Sequence, residues 1–499
     1  MPTAIAAERE RGQGKRFNVK LVWFVLSFVA LATVLLLPLG GGLTWQGQIA
    51  LAVLAFAVIM WVTEAVSYPV SATLVISLIA ILIGLSPDPK KPGQLMGSEE
   101  GLKMALGGFS TSSVALVAAA LMLAAAMQTT GLHKRLALYV LKVSGEKVSN
   151  VIIGTIVISI ILAFFVPSAT ARAGAVVPIL LGMVAAFGMD KRSNLGAILI
   201  ITAAQSISIW NVGIKTAAAQ NLVALGFIQS KMGQGVSWGQ WFIWAAPWSL
   251  LMSVVLYFVM RMVIKPEVDT IVGGKASVMQ QLDELGPITG AEKRLIGISV
   301  LLLALWSTEK VLHPIDSATV TIIAIALLLL PGIGVYSWKT LEPLVNWGTL
   351  IVFAIGISLG SVLLKTGAAE WLSKLIFGHL GLADKPLVAT IALVSVFTIL
   401  IHLGFASATA LASALIPVYI ALALTLPTPD GGIGFVVIQQ FVISFGFLLP
   451  VSAPQNMLAY GTGTFTSKQF LKSGIPLTII GYLLIVVFSA TYWKWMGLV

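Results

Sequence analysis

Apolar runs of roughly 19 residues, parted by short polar stretches, fill the chain from Leu21 onward. A helix needs roughly 20 apolar residues to cross the hydrocarbon core of a bilayer. Full spans are therefore predicted at about 21–39, 46–64, 67–85, 112–132, 193–222, 241–264, 294–312, 316–334, 348–366, 433–460 and 474–493. Residues 150–187 and 386–424 depart from this pattern. Each is two apolar runs of about 15–18 residues joined at a Ser-Ala-Thr, at Ser168-Ala169-Thr170 and Ser407-Ala408-Thr409. Fifteen helical residues rise only about 22 Å, which suits a segment that enters, turns and leaves on one side. Both are predicted to be re-entrant helical hairpins tipped by the Ser-Ala-Thr; one long kinked helix for each is the competing reading. The spans 193–222 and 433–460 are expected to break too, at "VGIKTAAAQN" (Val212–Asn221) and "LLPVSAPQN" (Leu448–Asn456).

The two halves match in order. "WVTEAV" at Trp61–Val66 pairs with "WSTEKV" at Trp306–Val311, 245 residues on, and Thr130-Gly131 pairs with Thr366-Gly367 at 236. The tips are 239 apart, and "AAAQNLVALG" (Ala217–Gly226) lies 235 before "SAPQNMLAYG" (Ser452–Gly461). Four landmarks drifting by 10 residues over half a protein mark a duplication. Paired polar breaks in a duplicated membrane protein are the pattern of a transporter with its site between the repeats. The fold class predicted is an all-α polytopic membrane protein of about 11 transmembrane helices in two inverted repeats. Its expected divisions are a tail and first helix (1–45), repeat 1 (46–264), a cytoplasmic linker (265–293) and repeat 2 (294–499). Within the linker "ASVMQQLDEL" reads as a short surface helix, and His133–Lys147 reads as an interfacial amphipathic helix.

Composition agrees: 58% hydrophobic and 10% charged, with mean hydropathy +0.99, against about 25% charged in soluble domains. With no cysteine, disulfides, thiolate catalysis and cysteine-held metal are excluded. The net charge of +11 does not point to nucleic acid, because the basic residues flank apolar spans instead of forming a stripe. They read as topology signals and lipid-headgroup contacts. Arg9, Arg11, Lys15, Arg16 and Lys20 precede the first run, which lacks the short core and A-x-A-like site of a cleaved signal peptide. Placing the N-terminus in the cytoplasm puts 19 of the 30 Lys and Arg inside and nine outside, consistent with the positive-inside rule. The C-terminus then lies outside, and the protein is expected in the cell's inner (plasma) membrane.

Helices broken within a membrane leave backbone groups that must face protein, water or a ligand. The second arm of each hairpin and the second half of each broken span would aim N–H groups and a positive dipole end inward. Four such ends, with Ser and Thr hydroxyls, favour an anion. Only Arg172, Lys215 and His402 are titratable groups placed well inside apolar spans, and all lie at the breaks; every Asp and Glu, Glu64 and Glu309 included, falls in a loop or at a span end. Buried charge is costly and usually functional. Each has a plainer reading: Arg172 capping carbonyls, Lys215 at a span mouth, His402 packed neutral, and the tip serines as helix caps. Thr216 and Ala218 fall in the same break as Lys215. Asn221 and Asn456 read as braces of the broken backbone. "GISLG" (Gly356–Gly360) reads as a helix-packing face and not a nucleophile elbow. No catalytic residue, metal ligand or cofactor is predicted.

These motifs resemble the divalent anion/sodium symporter (DASS) family. The shared features are "WVTEA" with Pro69-Val70, "TGLHKRLAL" at Thr130, "PSATARAG" at Pro167, "FASATA" at Phe405 and "SAPQNMLAYGTG" at Ser452. The resemblance is nearest to its branch of citrate/succinate, tartrate/succinate and 2-oxoglutarate/malate antiporters. It implies a homodimer, with a scaffold and a mobile transport domain in each protomer, working by elevator-type alternating access. By position the substrate contacts would be Ser168, Ala169, Thr170, Ser407, Ala408 and Thr409, with Ala217-Ala218 and Ser452-Ala453-Pro454 at the breaks. Family tips typically read Ser-Asn-Thr in at least one repeat, and Ala169 and Ala408 lack that amide. The expected function is sodium-independent exchange of di- or tricarboxylates. Alternatives are a sodium-coupled symporter, where sodium would be the partner ion, and, more remotely, a membrane-embedded enzyme.

Overall fold

The computed structural model describes residues 19–186 and 188–499; four of the basic residues of the tail, Arg9, Arg11, Lys15 and Arg16, lie outside the described residues. Among the described residues the fold is all helix, with isolated β-bridges and no strand. The first half runs α1 (Val19–Leu36), α2 (Trp45–Thr63), α3 (Tyr68–Gly84), α4 (Ser98–Leu106), α5 (Ser112–Thr130), α6 (Leu132–Ser144), α7 (Val148–Phe165), α8 (Ala169–Ala186), α9 (Asn194–Gly213), α10 (Ala219–Phe227) and α11 (Trp238–Val263). The linker helix α12 (Gly274–Glu284) follows. The second half runs α13 (Gly290–Ser307), α14 (Ser317–Leu329), α15 (Trp347–Lys365), α16 (Ala368–Phe377), α17 (Leu387–His402), α18 (Ala408–Ala423), α19 (Ile433–Ile443), α20 (Pro454–Gly461) and α21 (Ser467–Ala490). From α2 and from α13 the order of long elements is the same.

Local chemistry repeats with it. Gly131 and Gly367 take φ of 72° and 75° between α5 and α6 and between α15 and α16. That left-handed turn costs glycine nothing and other residues about 1 kcal/mol or more. Pro178 and Pro417 sit at matching places inside α8 and α18. At the head of α13, Thr289 and Glu292 form a reciprocal capping box, so the helix starts at Gly290, before the expected 294. Glu292 is also buried against Arg135 on α6, at 2.6 Å.

Nine helices among the described residues are long and apolar enough to span: α1, α2, α5, α7, α8, α9, α11, α15 and α21. Seven coincide with expected spans. The arms α7 and α8 reach 18 residues each, the upper end of the 15–18 expected for a hairpin arm. Four expected spans fall short. α3, α14 and α19 have 17, 13 and 11 residues, while the first turn of α13 carries Glu292, Lys293 and Arg294.

The breaks sit at the centre of the packing. Every residue of α9 from Leu195 to Gly213 is buried. The second arms cross-pack between halves, α8 on α20 and α18 on α10. The pairs α3–α15 and α5–α14 repeat that reciprocity. Gly356 and Gly360 let α15 approach Ser413, Pro417 and Phe227, where a Cβ would clash, so "GISLG" is a packing face. Its Ser358 hydroxyl accepts from Gly108 N–H at 2.9 Å.

Candidate substrate site

Each hairpin tip is a serine-capped helix start. Ser168 Oγ accepts from the Ala171 N–H and Ser407 Oγ from the Ala410 N–H, both at 3.3 Å. The breaks of α9–α10 and α19–α20 are equally alike. Ala218 (φ −145°, ψ 140°) and Ala453 (φ −156°, ψ 145°) precede α10 and α20, and neither helix has a side-chain cap. An alanine side chain offers no oxygen. The Asn221 and Asn456 N–H groups turn back to the Ala218 and Ala453 carbonyls and Pro454 has no N–H, so Ala219 and Gln220 in the first break and Gln455 in the second are the uncapped donors. Asn221 Nδ2 donates to the Asn211 carbonyl and Asn456 Nδ2 to the Gly446 carbonyl, each 2.7 Å across ten residues. The glutamines beside them reach into the opposite half, Gln220 Nε2 to Ser444 Oγ at 3.3 Å and Gln455 Nε2 to Ser208 Oγ at 3.0 Å.

These pieces enclose one cavity of about 200 Å3. Both tips line it (Ser168, Ala169 and Thr170; Ser407, Ala408 and Thr409), as do both uncapped starts, Ala218 with Ala219 and Ala453 with Pro454. His402 lines it as well. Its Nε2–H donates to the Ser452 carbonyl at 3.3 Å, while Nδ1 has no partner among the described residues. Tyr68, Asn346 and Thr349 contribute a wall from outside the hairpins and breaks. Among the described residues no Asp or Glu lines this cavity. Open helix N-termini, hydroxyls and the absence of a carboxylate suit a small anion.

Arg172, fully buried, stands behind the lining. One Nη donates to Asn211 Oδ1 at 2.5 Å and to the Ala217 carbonyl at 2.9 Å; Nε and the other Nη have no partner among the described residues. Ala217 and Ser452 likewise lie behind the lining, presenting carbonyls to Arg172 and His402.

Lys215 and Thr216 turn away from the tips. Lys215 lines a second cavity of about 500 Å3, with its Nζ 2.9 Å from the Val236 carbonyl, 3.3 Å from Ser317 Oγ and 4.0 Å from Glu309 Oε2. Thr216 Oγ1 accepts from Trp238 Nε1 at 3.3 Å. Here the sequence expectation needs correcting. Glu309 does lie in a turn, but it is 7% exposed and also accepts from Ser317 Oγ and the Trp238 N–H, so an acid is buried close to a break.

Sequence reasoning passed over Asn211, Ser444, Tyr68, Asn346 and Thr349 as lining residues. Gln220 and Gln455 carried a signal, since both precede the paired asparagines. Tyr68 and Asn346 carried none, for they reach the cavity only through packing between α3 and α15.

A family model described as the sodium:sulfate symporter transmembrane region matches residues 18–499. A Cupriavidus necator protein named only as a membrane protein is 50% identical over 481 residues, 96% of this chain and 94% of that one. An L-tartrate/succinate antiporter of Escherichia coli strain K12 is 27% identical over 95% of this chain and 98% of its own. The YdaH transporter of Alcanivorax borkumensis, a structure of unusual topology, superposes with a TM-score of 0.54 at 14% identity, covering 87% of this chain and 98% of that one.

Proposed function

Because this chain belongs to the sodium:sulfate symporter (DASS) family of membrane transporters, we propose that it carries small di- or tricarboxylates, of the malate, succinate, 2-oxoglutarate and citrate class, by obligatory exchange. The observation that carries the reading is the carboxylate-free cavity where both Ser-Ala-Thr tips and two uncapped helix starts converge in front of Arg172. The antiporter at 27% identity supports the same class.

The mechanism follows from charge. A sodium symporter neutralises its anion with ions that leave when the substrate leaves. Arg172 cannot leave. Moving it through the membrane without an anion exposes a buried charge, at several kcal/mol. Loaded with a dicarboxylate, Arg172 is offset by one carboxylate while the other faces the positive ends of the half-helices. Such a carrier crosses readily only when loaded, and the result is exchange. In this reading the hairpins and broken helices move as one body against the remaining helices, in the elevator manner, within a homodimer of the inner membrane. On the same reading the N-terminus is inside, the mouth beside Tyr68 and Asn346 opens to the cytoplasm, and the Lys215–Glu309 cavity faces out.

Purified protein in vesicles tests this directly. Labelled succinate or malate should enter only vesicles preloaded with unlabelled dicarboxylate, with or without sodium. Uptake into empty vesicles that requires sodium would establish symport instead.

A further inference from the structure

Asn211 holds a position that the exchange reading does not use. It lines the tip cavity yet is 3% exposed. Its Oδ1 meets a guanidinium N–H of Arg172, and its backbone carbonyl meets Asn221. A guanidinium has donors and no acceptor, so only the oxygen of the amide can face Arg172. The amide nitrogen is thereby turned the other way. No hydrogen bond within the described protein engages Asn211 Nδ2, nor is it among the sealed, partnerless atoms, so it faces the cavity.

We infer that Asn211 is a specificity-determining residue of the site: locked by Arg172, it presents N–H donors and no acceptor to one end of the ligand, and so selects an ionised carboxylate over a carboxamide. Arg172 acts here as a positioning residue, through Asn211. An ionised carboxylate only accepts hydrogen bonds, and each of its oxygens suits such a donor. A carboxamide offers one acceptor oxygen, and its NH2 group turned toward Asn211 meets another donor. The inference rests on the dicarboxylate reading and adds the residue that reads the charge of the anion.

The test compares succinate with its monoamide, succinamate, by ligand-induced thermal stabilisation and by competition in exchange, on the full-length protein. Wild type should prefer succinate. In Asn211→Asp the carboxylate still satisfies Arg172 but turns an acceptor to the cavity. Succinate should then weaken by about 10- to 100-fold, the range of one hydrogen bond to a charged group, and succinamate should become the better ligand. Should that variant fail to fold, Asn211→Ala should erase the preference without inverting it. A preference for succinate unchanged in either variant overturns the assignment while leaving exchange intact. A wild-type protein that binds neither compound overturns the dicarboxylate reading and this inference together.

Discussion

Residue by residue, the first hairpin and break can be laid over the second. Ser168 matches Ser407 in cap and distance, Ala218 matches Ala453 in backbone angles, and Asn221 matches Asn456 in the carbonyl it holds. One helical turn past the tips the likeness ends. Arg172 stands where Leu411 stands in the second hairpin, Asn211 where Gly446 stands, and Lys215 where Pro450 stands. The shared half supplies backbone donors, which any small anion can use. The unshared half supplies the fixed cation behind the cavity, Arg172, from the first repeat. Duplication therefore accounts for the shape of the cavity, and later divergence for its electrostatics.

The sharpest way to break the comparison is to make the first hairpin like the second. Arg172→Leu removes the guanidinium that ties Asn211 and the Ala217 carbonyl. Without it a bound dicarboxylate is buried with no cationic partner, at about 3–5 kcal/mol, so exchange should fall by at least about 100-fold. Counterflow of labelled succinate measures it, repeated with sodium in the medium. Restoration of uptake by sodium would mean that Arg172 does the work of a removable cation. Activity unchanged without sodium would contradict the charge-compensation argument.

Lys215 offers a subtler test, because its neighbour is an acid. Lys215→Met or Glu309→Gln alone leaves one charge buried in place of a pair, with an expected loss of about 3 kcal/mol of stability. The double variant Lys215→Met with Glu309→Gln should recover most of it, since uncharged groups of similar size often replace buried pairs without loss. Melting temperatures of the four proteins give the coupling. Full recovery of both stability and exchange in the double variant would make Lys215 a tie between the α9–α10 break and the α13–α14 turn. Lost exchange despite recovered stability would return it to the anion's path.

Much of this was legible in the chain. Broken apolar runs and matched motifs marked the tips and breaks, because a polar triplet within an apolar run has few uses besides a turn or a site. The relation of Arg172 to Asn211 was hidden, since 39 residues part them and nothing in either run signals the contact. Glu309 was read as a loop acid from its position. Its burial comes from Trp238 and Ser317 folding over the turn, which local sequence does not encode. The hairpin bounds were legible too, expected at 150–187 and 386–424 and found from Val148 to Ala186 and from Leu387 to Ala423.

The smallest expected effect bears on the symmetric half. Ser168→Ala and Ser407→Ala each remove a cap whose geometry is the same to 0.1 Å, at about 1 kcal/mol of helix-start stability. Each should raise the KM for exchange by about 3- to 10-fold, and the two should agree within about twofold if the cap alone matters. Ser168, however, lies on the arm that carries Arg172, at the end where the local field is positive. If its hydroxyl also meets the anion, Ser168→Ala will exceed Ser407→Ala in KM while the two melting temperatures stay level. That split would extend the asymmetry of the repeats from fixed charge to the tips themselves.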